Sequence, residues 1–345
     1  MIDMDSTVVI TGASAGVGRA TARAFAEQGA KVGLLARGEA GLDAAKQEVV
    51  DAGGEAVAVQ TDVAAAEEVD AAAEAVEEAF GPIDVWVNNA MTSVFSPASE
   101  MEPAEYARVT EVTYLGCVYG TQVALDRMAP RDEGTIIQVG SALAYRGIPL
   151  QSAYCGSKHA IQGFTESVRT ELIHDESNIQ LSMIQLPALN TPQFDWVRSR
   201  LPKQPQPVPP IYQPEVAAEA IVWAADHGRD ELWVGRSTVK AILGNRLVPR
   251  RLDNLLAHNG WDAQLTAEPS ESDRPDNLWD PVDDDVDYGA HGAFDDQARE
   301  RSYQLWGVTH PMGVVALVSG LLLLIKTLLS RWRGSDDSAA DTGSL

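Results

Sequence analysis

The first 250 residues predict an α/β domain, a doubly wound parallel sheet with helices on both faces. Three observations carry that expectation. A β-branched run, Ser6-Thr7-Val8-Val9-Ile10, turns through a glycine-rich segment, Thr11 to Gly18, into an Ala-rich amphipathic helix from Arg19 to Gln28. Apolar strand-like runs then alternate with Ala/Glu-rich stretches such as Ala64 to Phe80, as a parallel sheet requires. Finally, Tyr154 and Lys158 lie four apart, so a helix puts both on one face.

Strands are expected at 7–10, 31–35, 56–59, 84–88, 135–139, 180–185 and 232–234. After the first, the glycines sit where a strand turns sharply into a helix and the backbone can approach a pyrophosphate closely. Their spacing, G-x-x-x-G-x-G, departs from the common G-x-G-x-x-G. The strand at 135–139 runs into Ser141, and Tyr154 and Lys158 follow on a helix. A free tyrosine titrates near pH ~10. One ammonium about 5 Å away, at an effective dielectric of about 20, is worth roughly 3 kcal/mol, or about two pKa units downward. That shift brings the phenol toward the range of a general acid/base, with a carbonyl or an alcohol as its natural object.

On these residues the chain resembles the short-chain dehydrogenase/reductase family over roughly residues 5 to 245. Thr11 to Gly18 matches the family's cofactor loop TGxxxGxG, Asp62-Val63 its adenine-contacting pair, and Asn88-Asn89-Ala90 its Asn-Asn-Ala strand end. Ser141 matches the catalytic serine, Tyr154-Cys155-Gly156-Ser157-Lys158 the YxxxK motif, and Pro187 to Thr191 resembles the Pro-Gly-x-x-Thr segment beside the nicotinamide. The resemblance implies a Rossmann-type sheet and a set of roles. Tyr154 would exchange a proton with the substrate oxygen, Ser141 would hydrogen-bond that oxygen, and Lys158 would hold the nicotinamide ribose. Gly12, Ser14, Ala15, Gly16, Val17, Gly18, Arg37, Asp62, Val63, Asn89, Ala90, Pro187 and Thr191, with Tyr154 and Lys158, would bind the cofactor. The chemistry belongs to the nicotinamide; the protein supplies geometry and electrostatics.

Cofactor choice is read at the end of the second strand, Lys31 to Ala36-Arg37, which has no carboxylate before Glu39. An acidic residue there binds the ribose 2′-hydroxyl of NAD(H), whereas an arginine accommodates a 2′-phosphate. Arg37 therefore favours NADP(H) over NAD(H), the alternative being a solvated strand-end charge. Two residues depart from the family pattern. Thr113 stands where many relatives carry an asparagine that supports a proton relay, which leaves Thr113 a doubtful catalytic residue. Met91 replaces the usual glycine after Ala90, either narrowing the floor of the site or simply packing.

Between Pro187 and Pro214 the chain becomes proline-rich, an extended loop of the kind that closes over substrate in the family. Phe194 and Trp196, with Leu201, Ile211 and Tyr212, are candidates for an apolar substrate pocket or for gluing the loop to the body. Past residue 250 the resemblance fades. Residues 1–250 form the expected catalytic domain, 251–306 an acidic, largely irregular extension, 307–333 a hydrophobic helix and 334–345 a polar tail. From Glu268 to Glu300, twelve Asp or Glu face two Arg, which reads as a solvated linker with Trp261, Leu278, Trp279, Tyr288 and Phe294 as candidate anchors. Residues 312–329 are apolar except for Ser319, Lys326 and Thr327, and span ~27 Å as a helix, just the thickness of a hydrocarbon core. A membrane span with the catalytic domain on the cytoplasmic side, an interfacial or oligomer contact, and a core helix are the three readings of it.

The 345 residues carry a net charge of −24, with six lysines against twenty arginines. Without clustered basic residues, nucleic-acid binding is disfavoured. Salt adaptation and ordinary acidic bias are the two accounts of that charge. Met1 to Asp5 shows no secretory signal, and Cys117 and Cys155 form no zinc spacing. The reading is an NADP(H)-dependent oxidoreductase that interconverts a ketone or aldehyde and an alcohol on a hydrophobic small molecule. By resemblance it is a homo-oligomer through helices near 100–128 and 153–174. A non-turning-over nucleotide-binding scaffold or redox sensor is the alternative, as is an epimerase or dehydratase using the same cofactor transiently.

Overall fold

The computed structural model describes residues 2, 4–271 and 274–315, together with Ser319 and Lys326. All seven expected strands are present: β1 (Thr7–Thr11), β2 (Lys31–Ala36), β3 (Glu55–Gln60), β4 (Val85–Asn88), β5 (Thr135–Ser141), β6 (Gln180–Leu186) and β7 (Glu231–Trp233). They form one sheet in the order β3-β2-β1-β4-β5-β6-β7, parallel throughout, with Val9 opposite both Gly33 and Trp86. β1, β4 and β5 are buried at every position because helices cover both faces, which is why these strands read as continuous apolar runs.

The crossover helices are α1 (Gly16–Ala26), α2 (Glu39–Asp51), α3 (Ala66–Phe80), α4 (Pro103–Thr110), α5 (Gly116–Met128), α6 (Ser152–His174) and α7 (Pro214–His227). Between α4 and α5 the chain stays helical but widens to a π turn at Glu111–Leu115, the segment that carries Thr113. One face of the sheet packs Val9, Leu35 and Trp86 against Val69, Val76 and Val123. Strand order reverses between β1 and β4, so both pass their C-terminal ends to the same crevice, the place where open α/β sheets bind ligands.

After α8 (Gly235–Leu247) and α9 (Pro249–Asn259), the strand Leu265–Pro269 pairs antiparallel with Lys203–Pro205 and fastens the proline-rich loop. Residues 274–299 then run across the body with little regular structure. They are not the solvated linker that their acidity predicts. Leu278 and Phe294 are buried, Tyr288 packs edge-on against Trp196 at 4.8 Å, and Trp261 and Trp279 stay partly exposed. Compact organisation divides the chain at residue 302, and the described part of the second unit includes the helix Tyr303–Thr309. The expected apolar helix at 307–333 lies mostly outside the described residues. Among those described, no helix is long and apolar enough to cross a membrane.

Candidate active site

The glycine-rich loop is shaped by contacts that only glycine permits. A Cβ on Gly18 would stand 2.1 Å from the Gly12 carbonyl oxygen, and Gly12 itself adopts φ +65°. Asn89, at the end of β4, clamps this loop: its Nδ2 donates to the carbonyls of Thr11 (2.9 Å) and Gly12 (3.1 Å). The Thr11 hydroxyl accepts from the backbone N–H groups of Asn89 and Ala90. Asn88 turns the other way, into a buried network with Trp86, Thr121 and Gln138 to which the Cys117 thiol also donates. Burial raises that thiol to about 12, so it stays protonated and is no nucleophile. No motif announces this network, whose members come from three separate elements.

β5 delivers Ser141 and α6 delivers Tyr154 and Lys158, one helical turn apart. The Lys158 ammonium lies 5.6 Å from the Tyr154 ring centroid and donates to the Val139 carbonyl at 2.6 Å. Burial lowers Lys158 to about 8, so it is still charged at neutral pH. The expected depression of Tyr154 is not what the structure gives. Burial pushes this phenol above its usual range, with the neighbouring Ser141 hydroxyl pulling it only part of the way back. Desolvation prevails, and the Lys158 ammonium is directed at the Val139 carbonyl rather than at the phenol oxygen.

One cavity of about 410 Å³ collects nearly all of the sequence-predicted residues. Gly12, Ser14, Ala15, Gly16 and Val17 line it at one end, with Arg37, Asp62, Val63, Asn89 and Ala90. Ser141, Tyr154, Lys158, Pro187 and Thr191 lie along it, and Phe194 and Trp196 line it too. Met91 also reaches the cavity. Gly18 and Thr113 do not. Gly18 acts through the loop's shape, and the Thr113 hydroxyl is spent on the backbone of Thr92, donating to its carbonyl at 2.9 Å and accepting from its N–H at 3.0 Å. Leu201 and Ile211 sit in the apolar cluster beside Phe194, and Tyr212 carries Arg299 over its ring, so these three glue the loop rather than line the cavity.

The model of the short chain dehydrogenase family matches residues 6–201. The chain belongs to the short-chain dehydrogenase family. Over 320 residues this short-chain dehydrogenase is 35% identical to the uncharacterized oxidoreductase YxnA of Bacillus subtilis (strain 168), covering 92% of its own length and 89% of that protein's. It is 36% identical over 188 residues to 3beta-hydroxysteroid dehydrogenase 1 of Eggerthella lenta, covering 54% of its own length and 71% of that one. Among solved structures it resembles a short-chain dehydrogenase/reductase of Burkholderia phymatum in complex with NAD, with a TM-score of 0.63, 25% identity and coverage of 72% and 95%. It also resembles a single-substitution variant of the actinorhodin polyketide ketoreductase with NADPH, with a TM-score of 0.60, 28% identity and coverage of 68% and 97%. The short-chain dehydrogenase is an oxidoreductase with a nicotinamide cofactor. Its cavity fits that group: a glycine-rich loop at a helix N-terminus for the phosphates and the buried Lys158 ammonium.

The acidic extension of this short-chain dehydrogenase is part of the cleft, which the motifs did not foretell. Asn277, Pro281, Val282 and Asp283 line the cavity. The carbonyls of Asn277 and Trp279 accept from Arg37 at 2.5 and 2.7 Å, and that of Leu278 from Arg108 at 3.0 Å. Asp62, expected beside the adenine, pairs with Arg108 at 2.6 Å. Farther along, Asp287 meets the buried Arg19 and the Gly289 carbonyl accepts from Gly16 N–H. Most of these contacts are made by backbone carbonyls, which no side-chain pattern reports.

Proposed function

We propose that this oxidoreductase interconverts a ketone or aldehyde and an alcohol on a bulky apolar molecule, with Tyr154 as the group that gives and takes the proton. The observation that carries this reading is the convergence of Ser141, Tyr154 and Lys158 on one cavity that ends at the Gly12–Val17 loop. A bound nicotinamide supplies the hydride chemistry. The Tyr154 hydroxyl donates its proton to the substrate oxygen in reduction and removes it in oxidation. Ser141 hydrogen-bonds the same oxygen and fixes its distance from the phenol. Lys158, charged and buried, would hold the cofactor ribose and supply positive field to a developing phenolate once cofactor and substrate have replaced water.

The substrate class follows from Phe194, Trp196, Leu143, Ile148, Val208 and Leu256, which line the cavity. Ser237 and Thr238 line it as well, with side-chain oxygens that are buried and unpartnered among the described residues, ready for one polar substituent on an apolar body. NADP(H) was expected from Arg37, but that guanidinium already gives two of its donors to the extension, so the choice between NADP(H) and NAD(H) turns on what else lies there. Association with a membrane through residues 312–329 and pairing of copies through the helices near 100–128 and 153–174 rest on the sequence; fractionation and sedimentation of the full-length protein test them. The scaffold alternative draws on Thr113, whose hydroxyl does not reach the cavity.

The deciding experiment follows oxidation of reduced cofactor by the full-length protein across a panel of hydrophobic aldehydes and ketones, beside Tyr154→Phe. Turnover lost in the variant supports the reading. Tight cofactor binding without turnover on any substrate moves the weight to the scaffold, and turnover of substrate without net cofactor consumption to an epimerase or dehydratase.

A further inference from the structure

The cavity wall beside Arg37 contains a carboxylate that comes from the far end of the chain. Asp283 is nine-tenths buried, lines the cavity, and accepts no hydrogen bond from any described residue through its side chain. Its position is built. A Cβ on Gly38 would stand 2.0 Å from its Oδ1, and one on Gly41 would stand 2.6 Å from its Oδ2, so both glycines are needed to admit it. The Ser14 side chain, from the glycine-rich loop, lies 2.9 Å from that same Gly41 point. Asp283 therefore sits among the end of β2, the start of α2 and the phosphate loop.

The neighbouring backbone holds it in place. The Gly41 N–H donates to the Asp283 carbonyl (3.0 Å) and the Ala40 N–H to the Asp284 carbonyl (3.2 Å), while the Glu39 N–H donates to Asp284 Oδ1. These are the orphan donors of the first turn of α2, whose N-cap, Gly38, has no side chain to satisfy them. The positive end of the helix favours the acidic pair. On the other side, Arg37 and Arg108 hold the carbonyls of residues 277–279. The carboxylate itself is left facing the cavity.

A carboxylate that faces a cavity with no hydrogen-bond donor from the described residues can accept from a ligand that brings hydroxyl groups. The end of β2 is where a dinucleotide fold meets the adenosine ribose, and an acidic side chain there hydrogen-bonds the 2′-hydroxyl. We propose that Asp283, supplied by the extension, reads the ribose 2′ position and makes this protein prefer NAD(H) to NADP(H). The carboxylate accepts from the 2′-hydroxyl and repels a 2′-phosphate, overriding Arg37, whose fork is turned to the carbonyls of Asn277 and Trp279.

The inference rests on the nicotinamide reading above, and equilibrium binding separates the two. Dissociation constants for NADH and NADPH are measured on the full-length protein by calorimetry, for wild type and Asp283→Asn. Wild type is expected to bind NADH at least ~10-fold more tightly. Asp283→Asn, nearly the same shape without the charge, shifts the ratio of the two constants toward NADPH by ~10-fold or more. Should Asp283→Asn fail to fold by circular dichroism, Gly38→Ala decides, because its Cβ displaces the carboxylate and must move the ratio the same way. Tighter NADPH binding by wild type, or an unmoved ratio in a folded variant, overturns the proposal and leaves the oxidoreductase reading intact. Failure of both nucleotides to bind overturns that reading and, with it, this one.

Discussion

Asp287→Asn is expected to loosen the strap without disturbing the sheet. Arg19, in the first turn of α1, is 2% exposed and donates to Asp287 at 2.8 and 3.1 Å and to Glu48 at 3.0 Å twice. Its Nη1 also donates to the carbonyls of Ser14 and Gly41. Hydrogen bonds to charged groups are worth about 1.5–3 kcal/mol each. The Asp287 side chain is 40% exposed, so water screens part of that, and Glu48 continues to neutralise the guanidinium. A net loss of about 1–2 kcal/mol remains, a factor of roughly 5–30 in the opening equilibrium. Hydrogen exchange reads it at two amides that the extension protects, Gly16 N–H bonded to the Gly289 carbonyl and Gly41 N–H bonded to the Asp283 carbonyl. Both should exchange about tenfold faster in the variant while β1 and β5 keep their protection. Unchanged rates at Gly16 and Gly41 would refute the reasoning, and so would a uniform rise across the sheet.

Three further outcomes are expected. Tyr154→Phe should lower turnover by about 10²–10⁴-fold while cofactor affinity stays near wild type, measured by steady-state kinetics and calorimetry. Thr113→Val should cost about 1–3 kcal/mol in chemical unfolding, because two backbone groups of Thr92 lose their partner, with kcat of the folded protein little changed; a hundredfold fall in kcat would restore Thr113 to the proton relay. Acid should release the extension and the junction at α4. Burial alone would raise Asp287 and Glu105, but Arg19 in one case and Arg200 with Arg198 in the other outweigh it and hold both below the usual carboxylate range. Depressed carboxylates contribute stability above their ordinary pKa of ~4 and lose it as the pH falls through the lower folded value. Stability flat from pH 6 to pH 3 would contradict this.

The sheet was legible because its strands are buried on both faces, so each declares itself as a short apolar run between turn residues. The Ser141, Tyr154 and Lys158 cluster was legible because spacing on a helix and position after a strand are local facts. What escaped was of two kinds. The state of Tyr154 depends on how much water the folded cleft excludes, which a four-residue spacing does not contain. The extension docks through the carbonyls of Asn277, Leu278, Trp279, Asp283 and Gly289, and every residue has a carbonyl. Five apolar or aromatic residues marked candidate anchors among acids that spoke for solvent, and of these Leu278 and Phe294 are buried and Tyr288 packs on Trp196. Arg37 was placed correctly at the end of β2, but its partners, the carbonyls of Asn277 and Trp279, lie more than two hundred residues away, where no local spacing reports them.

Position along the chain also sets an order of events during synthesis. Arg19 leaves the ribosome 268 residues ahead of Asp287, an interval of roughly 10–50 s at ordinary elongation rates. For that time the nucleotide half of the domain can assemble with its cleft open along the side that the extension later crosses. A chain that stops short of residue 287 leaves Arg19 with Glu48 as its one carboxylate partner among the described residues, so this side of the cleft is the last part of the domain to be put in place.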